Sequence, residues 1–225
     1  MNRVNIFIGN YGSGKTELSI SAALKLKEKH SRVILSDMDI VNPYFRSSER
    51  AKMLENLGIK VISPVCAGTQ VDVPALSADA AIPFQTKEYY CVIDCGGDSA
   101  GATALGAYAP YIEKIKDEIE IFFVANARRP FQETAQEIID SINIIEHVSK
   151  LKATAIINNT NVSRETTVKD LIYGYEIILA AALQKGIPLK YNVGSSKILK
   201  EFSQYEHIGR DWELTPCMRP EFLNS

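Results

Sequence analysis

Gly9-Asn10-Tyr11-Gly12-Ser13-Gly14-Lys15-Thr16 sets glycines, a lysine and a hydroxyl at the spacing G-x-x-x-x-G-K-[ST]. Glycine lets backbone N–H groups curl around a phosphate, and Lys15 is placed to meet β- and γ-phosphate oxygens. The Thr16 hydroxyl is of the type that ligates magnesium. The run follows the apolar segment 4–8 and opens a helical stretch carrying Leu18, Ala22 and Leu26. A helix N-terminus at that turn adds positive potential where phosphate would sit. Gly9 through Thr16, together with Glu17, are therefore the expected contacts to a nucleoside triphosphate.

Two acidic segments carry complementary chemistry. One reads Leu35-Ser36-Asp37-Met38-Asp39, the other Ile93-Asp94-Cys95-Gly96-Gly97, each closing an apolar run. A carboxylate at a strand tip beside a phosphate loop can hold magnesium or orient an attacking water. Asp94 is the better magnesium candidate, because Gly96-Gly97 leaves backbone free to approach a γ-phosphate. Asp also opens turns and caps helices without any ligand, and that reading stands beside the functional one for Asp37, Asp39 and Asp94.

Alternating elements must position these residues. Strands are predicted at 4–9, 32–37, 60–63, 89–94, 120–125, 153–158 and 188–193, and most are continuously apolar, as in strands covered on both faces. Between them, Ile138, Ile142, Ile145 and Val148 recur at helical spacing, as do Leu171, Tyr175, Ile178 and Ala182. Repeated β-then-α units with right-handed crossovers predict an α/β fold: a mostly parallel β-sheet with helices on both faces and ligands at the carboxyl ends of the strands. Residues 1–203 are expected to form the nucleotide-binding domain. Residues 204–225, with Pro216 and Pro220, are expected to be an irregular tail packed on or near it. The segment 65–85 is the least regular of the remainder.

The 225 residues are 46% hydrophobic and 23% charged, with net charge -2 and pI ≈ 6.0. That balance is ordinary for a globular enzyme and gives no global pull toward nucleic acid or anionic lipid. Met1-Asn2-Arg3 leads straight into an apolar strand, so no secretion leader is expected, and no apolar run approaches the ~20 residues of a membrane helix, so no span is expected either. Cys66, Cys91, Cys95 and Cys217 are too sparse for a disulfide framework, which suits reduced thiols in the cytoplasm. Cys91 is read as a core residue. His30, His147 and His207 are isolated, and no structural metal is expected.

The phosphate loop, the Asp-x-Asp at Asp37 and the Asp-x-x-Gly at Asp94 together resemble the class of P-loop NTPases that contains MinD, ParA and the nitrogenase iron protein. CobB/CobQ amidoligases, dethiobiotin synthetase and the UreG and HypB metallochaperones belong to the same class. Asp37-Met38-Asp39-Ile40-Val41-Asn42-Pro43-Tyr44-Phe45-Arg46 is similar to a bacterial ATP-binding subfamily of it, and the likeness extends through Asp94 to Asp98 and Asn158 to Asn161. The resemblance implies a P-loop NTPase fold, Asp39 orienting the hydrolytic water, and Asp94 supporting magnesium. Asn10 stands where MinD and ParA carry a lysine that reaches across a dimer. A homodimer therefore stays a candidate assembly without that lysine to drive it.

In the same class the loop at Asn158-Asn159-Thr160-Asn161 recognises the base. A guanine reader uses a carboxylate there, which accepts from two donors at once. The Asn161 amide would oppose donor to donor, at ~1–3 kcal/mol for each unpaired buried group. Asn158 is expected to pair with the adenine edge instead, as in the nitrogenase iron protein, so ATP is the expected nucleotide and magnesium the expected ion. Arg46, Arg128 and Arg129 are candidates for binding an anionic substrate or transition-state charge, with solvated surface arginines as the alternative. The expected activity is magnesium-dependent ATP hydrolysis coupled to a conformational change. Two alternatives remain: a synthetase or kinase acting on a small anionic acceptor, and a nucleotide-gated module for a protein partner.

Overall fold

The computed structural model describes residues 1–39, 49–63, 78–97 and 99–214. Arg46 and its neighbours from Asn42, Cys66, Asp98 and Cys217 lie outside the described residues. Among the described residues eight strands form one sheet: β1 (Val4–Ile8), β2 (Val33–Met38), β3 (Ile59–Ile62), β4 (Tyr90–Cys95), β5 (Ile119–Ala125), β6 (Ala155–Asn158), β7 (Leu189–Gly194) and β8 (Arg210–Glu213). Their order is β3-β2-β4-β1-β5-β6-β7-β8. Every pairing is parallel, a stricter result than the mostly parallel sheet expected.

The helices are α1 (Lys15–Lys27), α2 (Glu49–Asn56), α3 (Ile82–Gln85), α4 (Ser99–Gly106), α5 (Ala109–Lys114), α6 (Ala135–Ser149), α7 (Val168–Lys185) and α8 (Ser196–Phe202). They build a core on each sheet face. In β5, Ile121 and Phe123 join Ile138, Ile142 and Tyr175 on one side. Phe122 and Val124 join Leu18, Ile20 and Leu54 on the other. Successive side chains of a strand point to opposite faces, so strands serving two cores are apolar at nearly every position. All residues of β1 and β5 are buried accordingly.

Local chemistry fixes the long helices. Thr134 accepts the Glu137 N–H while the Glu137 side chain accepts the Thr134 N–H, a capping box at the start of α6. At the start of α7 the Asp170 side chain accepts from both the Thr167 N–H, at 2.9 Å, and the Thr167 hydroxyl, at 2.8 Å, and the helix ends on Gly186 at φ 72. The buried positions of α6 and α7 include Ile138, Ile142, Ile145, Leu171, Tyr175, Ile178 and Ala182, as the helical spacing predicted.

The stretch after Ser203 departs from expectation. Residues 210–213 form β8, which pairs in parallel with β7 from Tyr191↔Arg210 to Gly194↔Glu213. Arg-Asp-Trp-Glu has one apolar residue and no readable alternation, so nothing local marks it as a strand. Trp212 supplies the reason it forms: the side chain is buried, and its indole N–H donates to Ser21 Oγ at 3.0 Å. Among the described residues, no helix is long and apolar enough to cross a membrane.

Candidate functional site

Strand register gathers the predicted residues at one end of the sheet. Phe7 of β1 pairs with Asp94 of β4, and Asp94 pairs with Asp37 of β2. The phosphate loop leaves β1 two residues later. Gly9, Gly12 and Gly14 have φ of 143°, 74° and 89°, values that L side chains rarely adopt. A Cβ on Gly9 would also fall 2.5 Å from Val124 O, and one on Gly14 would fall 2.3 Å from Asn159 Nδ2. The loop is thus turned by positive-φ glycines and pressed against two neighbouring segments.

Lys15 is 7% exposed, and its ammonium donates to Asn10 O at 3.0 Å, across the mouth of the loop. The Thr16 and Ser19 side chains hydrogen-bond Asp94, the latter from Oγ to Oδ1 at 3.3 Å. Asp94 is 2% exposed. Burial pushes its carboxyl up to about 6, against the opposing pull of the Thr16 bond, the Lys15 charge and the Ser19 bond, while the Asp39 charge adds to the rise. A carboxylate taken out of water next to a threonine hydroxyl is a group that a cation would stabilise. These residues fit magnesium.

Asp39 sits half-buried just past β2. Its N–H donates to Asp37 Oδ1 at 2.9 Å, so Asp37 shapes the turn that presents Asp39. An Asp39 carboxylate oxygen comes within 3.3 Å of where a Cβ on Gly96 would lie. A Cβ on Gly97 would fall 2.6 Å from Tyr11 N, which packs this backbone directly on the phosphate loop. Lys15, Thr16, Asp94 and Asp39 are brought together. The Asn10 amide points away from them, donating to Ser141 Oγ of α6 at 3.0 Å. Tyr11 is exposed and Ser13 is buried within the loop.

The base-side expectation is corrected. Asn158 is fully buried; its Nδ2 donates to Leu171 O and Asn192 Oδ1, both at 3.3 Å, and its Oδ1 accepts the Thr160 N–H at 3.1 Å. Its amide joins β6 to α7 and β7 and offers no edge to a ligand. The next residue faces the site instead. Asn159 Nδ2 donates to Ser13 O at 2.7 Å, tying the end of β6 to the phosphate loop. Beside it opens a cavity of about 610 Å³ lined by Gly14, Glu17, Asn159, Asn161, Ser195 and Lys197, among others. Asn161 donates to Asn159 O at 2.7 Å and accepts from Ser163 N at 3.2 Å. Side-chain alternation at the end of β6 decides which amide turns to the phosphate loop, and that was not legible in four residues of such similar chemistry.

The arginine pair is split. Arg128 donates to Asp170 Oδ1 from Nε at 3.0 Å, and its guanidinium carbon lies 4.2 Å from the Tyr173 ring centroid. It is therefore committed to the start of α7. Arg129 lies against the phosphate loop at Gly12. Sequence reasoning missed Ser19 and Asn159; Ser19 lies one helical turn beyond Lys15, on the face that meets β4, and that spacing was the available signal. Cys91 and Cys95 are buried thiols whose burial raises their pKa values, that of Cys91 to about 12, so neither is a ready nucleophile.

The fold is shared with solved structures of FtsY. The cell division protein FtsY from Thermotoga maritima is 24% identical with a TM-score of 0.55, over 83% of this chain and 60% of that one. Chloroplast FtsY from Physcomitrella patens is 15% identical with a TM-score of 0.54, over 84% and 57%. FtsY from Mycoplasma mycoides is 18% identical with a TM-score of 0.50, over 84% and 60%. The chain thus spans 60% or less of the length of these three proteins. No protein-family model and no curated protein sequence matches it.

Proposed function

We propose that this chain binds ATP with magnesium and hydrolyses it, as a cytoplasmic member of the MinD/ParA/CobQ-like group of P-loop NTPases. The observation that carries the reading is the convergence of Lys15, Thr16, Asp94 and Asp39 around a loop turned by three positive-φ glycines. Lys15 and the loop amides hold the β- and γ-phosphates. Thr16 and Asp94 hold the magnesium ion, which supplies charge neutralisation on the phosphates when bound. Asp39 orients the water that attacks the γ-phosphorus as the bond to the β-γ bridging oxygen breaks. Lys15→Ala tests the phosphate site: isothermal titration with magnesium and ATP is expected to show affinity reduced at least tenfold, about 1.4 kcal/mol. An unchanged affinity would overturn the reading.

Asn161, standing where a guanine reader needs a carboxylate, favours adenine over guanine by about tenfold, about 1.4 kcal/mol. Competition of GTP against bound ATP decides this. A second reading has a specific support: Glu17 and Glu201 also line the cavity beside Asn161, and either carboxylate reaching the guanine donors would favour GTP. Equal or tighter GTP binding would select that reading and leave the phosphate-site assignment intact.

A further inference from the structure

The turn after β5 presents a cation to the phosphate loop. Arg129 Nε, Cζ and Cδ lie 3.6, 3.8 and 3.9 Å from the point where a Cβ on Gly12 would sit. This is van der Waals contact between a guanidinium and the outer surface of the loop, and Gly12 keeps that surface bare of any side chain. The neighbouring Arg128 is consumed by Asp170 and Tyr173. Among the described residues no carboxylate forms an ion pair with Arg129, whose side chain is exposed.

The turn is held firmly. Arg129 N donates to Asn126 O at 3.0 Å, and Gln132 N donates to Arg129 O at 3.2 Å. Gln132 is fully buried and its Oε1 accepts the Asn126 N–H at 3.0 Å. Asn126 Oδ1 accepts from Arg128 N at 3.0 Å, while Asn126 Nδ2 donates to Asn161 O at 3.2 Å. One asparagine thus links the arginine turn to the loop that lines the nucleoside cavity. The backbone of Arg129 is fixed and its long side chain keeps its freedom, the arrangement of an anion-clamping arginine.

We infer that Arg129 closes over the phosphate loop and binds the polyphosphate chain of the nucleotide from the same polypeptide, opposite Lys15. This inference rests on the nucleotide reading of the loop. A planar guanidinium can donate two parallel hydrogen bonds to phosphate oxygens, which a lysine cannot reproduce. Arg129 therefore acts as a specificity-determining contact for charged phosphate, and its effect grows with the number of phosphates.

The test measures affinities of wild type, Arg129→Gln, Arg129→Lys and Lys15→Ala for magnesium-ATP, ADP and AMP by isothermal titration, at two salt concentrations. Arg129→Gln is expected to weaken ATP binding by roughly five- to twentyfold, with ADP affected less and AMP least, and to flatten the salt dependence. Arg129→Lys is expected to recover part of the loss. Unfolding curves superimposable on wild type are expected for both variants, because Arg129 is exposed. If Lys15→Ala loses ATP and Arg129→Gln does not, the arginine inference falls while the nucleotide site stands. If all three nucleotides weaken equally in Arg129→Gln, the arginine does not read phosphate. If neither Arg129→Gln nor Lys15→Ala changes any affinity, both readings fall together.

Discussion

Replacing the buried Asp94 carboxylate by an isosteric amide removes a charge that touches Thr16 and Ser19 and lies within the field of Lys15. Asp94→Asn is therefore expected to weaken magnesium-dependent ATP binding and turnover together. Asp39 is half-buried, anchored through Asp37, and assigned to a water that matters only in the chemical step. Asp39→Asn is expected to lower kcat by roughly a hundredfold with ATP affinity nearly unchanged, the mark of an interaction made in the transition state. Titration and single-turnover hydrolysis on both variants decide it; the opposite pattern would exchange the two roles. Residue types and spacing made this cluster legible, because glycine, lysine, threonine and strand-end aspartate each have few substitutes for their tasks. Asn158 was misplaced because its neighbour Asn159 has the same chemistry; both are buried, and only the alternation of side chains at the end of β6 decides which amide turns to the phosphate loop. Arg128 and Arg129 were inseparable in sequence for a similar reason: the partner Asp170 lies 42 residues away along the chain.

At the scale of elements, Glu146 shows how α6, α7 and the segment leading into β6 are clamped. It is 5% exposed, accepts the Ala153 N–H at 3.1 Å, and pairs with Lys152 at 2.7 Å and Lys185 at 3.0 Å. Burial alone would raise its carboxyl, but the bonds from Lys152, Lys185 and the Ala153 N–H outweigh it and hold the pKa below the ordinary glutamate value. A lowered folded pKa adds stability that is fully present above the unfolded value and fades as pH falls through the lowered one. Glu146→Gln is accordingly expected to destabilise the protein by about 1–3 kcal/mol at neutral pH. Lys152 is exposed and contributes little of this; Lys185 and the backbone contribute most. Thermal melts of both proteins should converge as the pH drops below the glutamate range, and a gap that persists undiminished in acid would show that Glu146 acts by shape and not by charge. The helices it joins were legible from apolar spacing. The clamp itself was not, since a Glu on a helical stretch reads as a solvated face until Lys185 is brought beside it.

Over the whole molecule, the order β3-β2-β4-β1-β5-β6-β7-β8 sets the candidate site at the carboxyl ends of the central strands and leaves β8 as the far edge. The central strands were readable because burial on both faces demands unbroken apolar runs. The edge strand escaped because one buried residue suffices to attach it. That residue, Trp212, is the sole tryptophan of the chain. Its ring lies edge-on to Tyr191 at 5.0 Å and to Phe7 at 6.4 Å, and its N–H reaches Ser21 on α1. Phe7 precedes the phosphate loop and α1 follows it, so Trp212 couples the edge of the sheet to the elements that carry the site. Trp212→Ala is expected to cost about 3–5 kcal/mol, the range for emptying a packed aromatic position. For a chain of this size that lowers Tm by roughly 6–20 °C. In the unsubstituted protein, tryptophan emission should shift to the red in the same denaturant transition that removes far-UV ellipticity, because β8 unfolds with the sheet. An emission change completed at lower denaturant, with ellipticity intact, would mean that the segment after Ser203 detaches as a separate tail. ATP-dependent stabilisation then separates coupling from mere packing: saturating magnesium-ATP should move the emission and ellipticity midpoints upward by the same amount. A ligand shift confined to ellipticity would break the link between Trp212 and the nucleotide site.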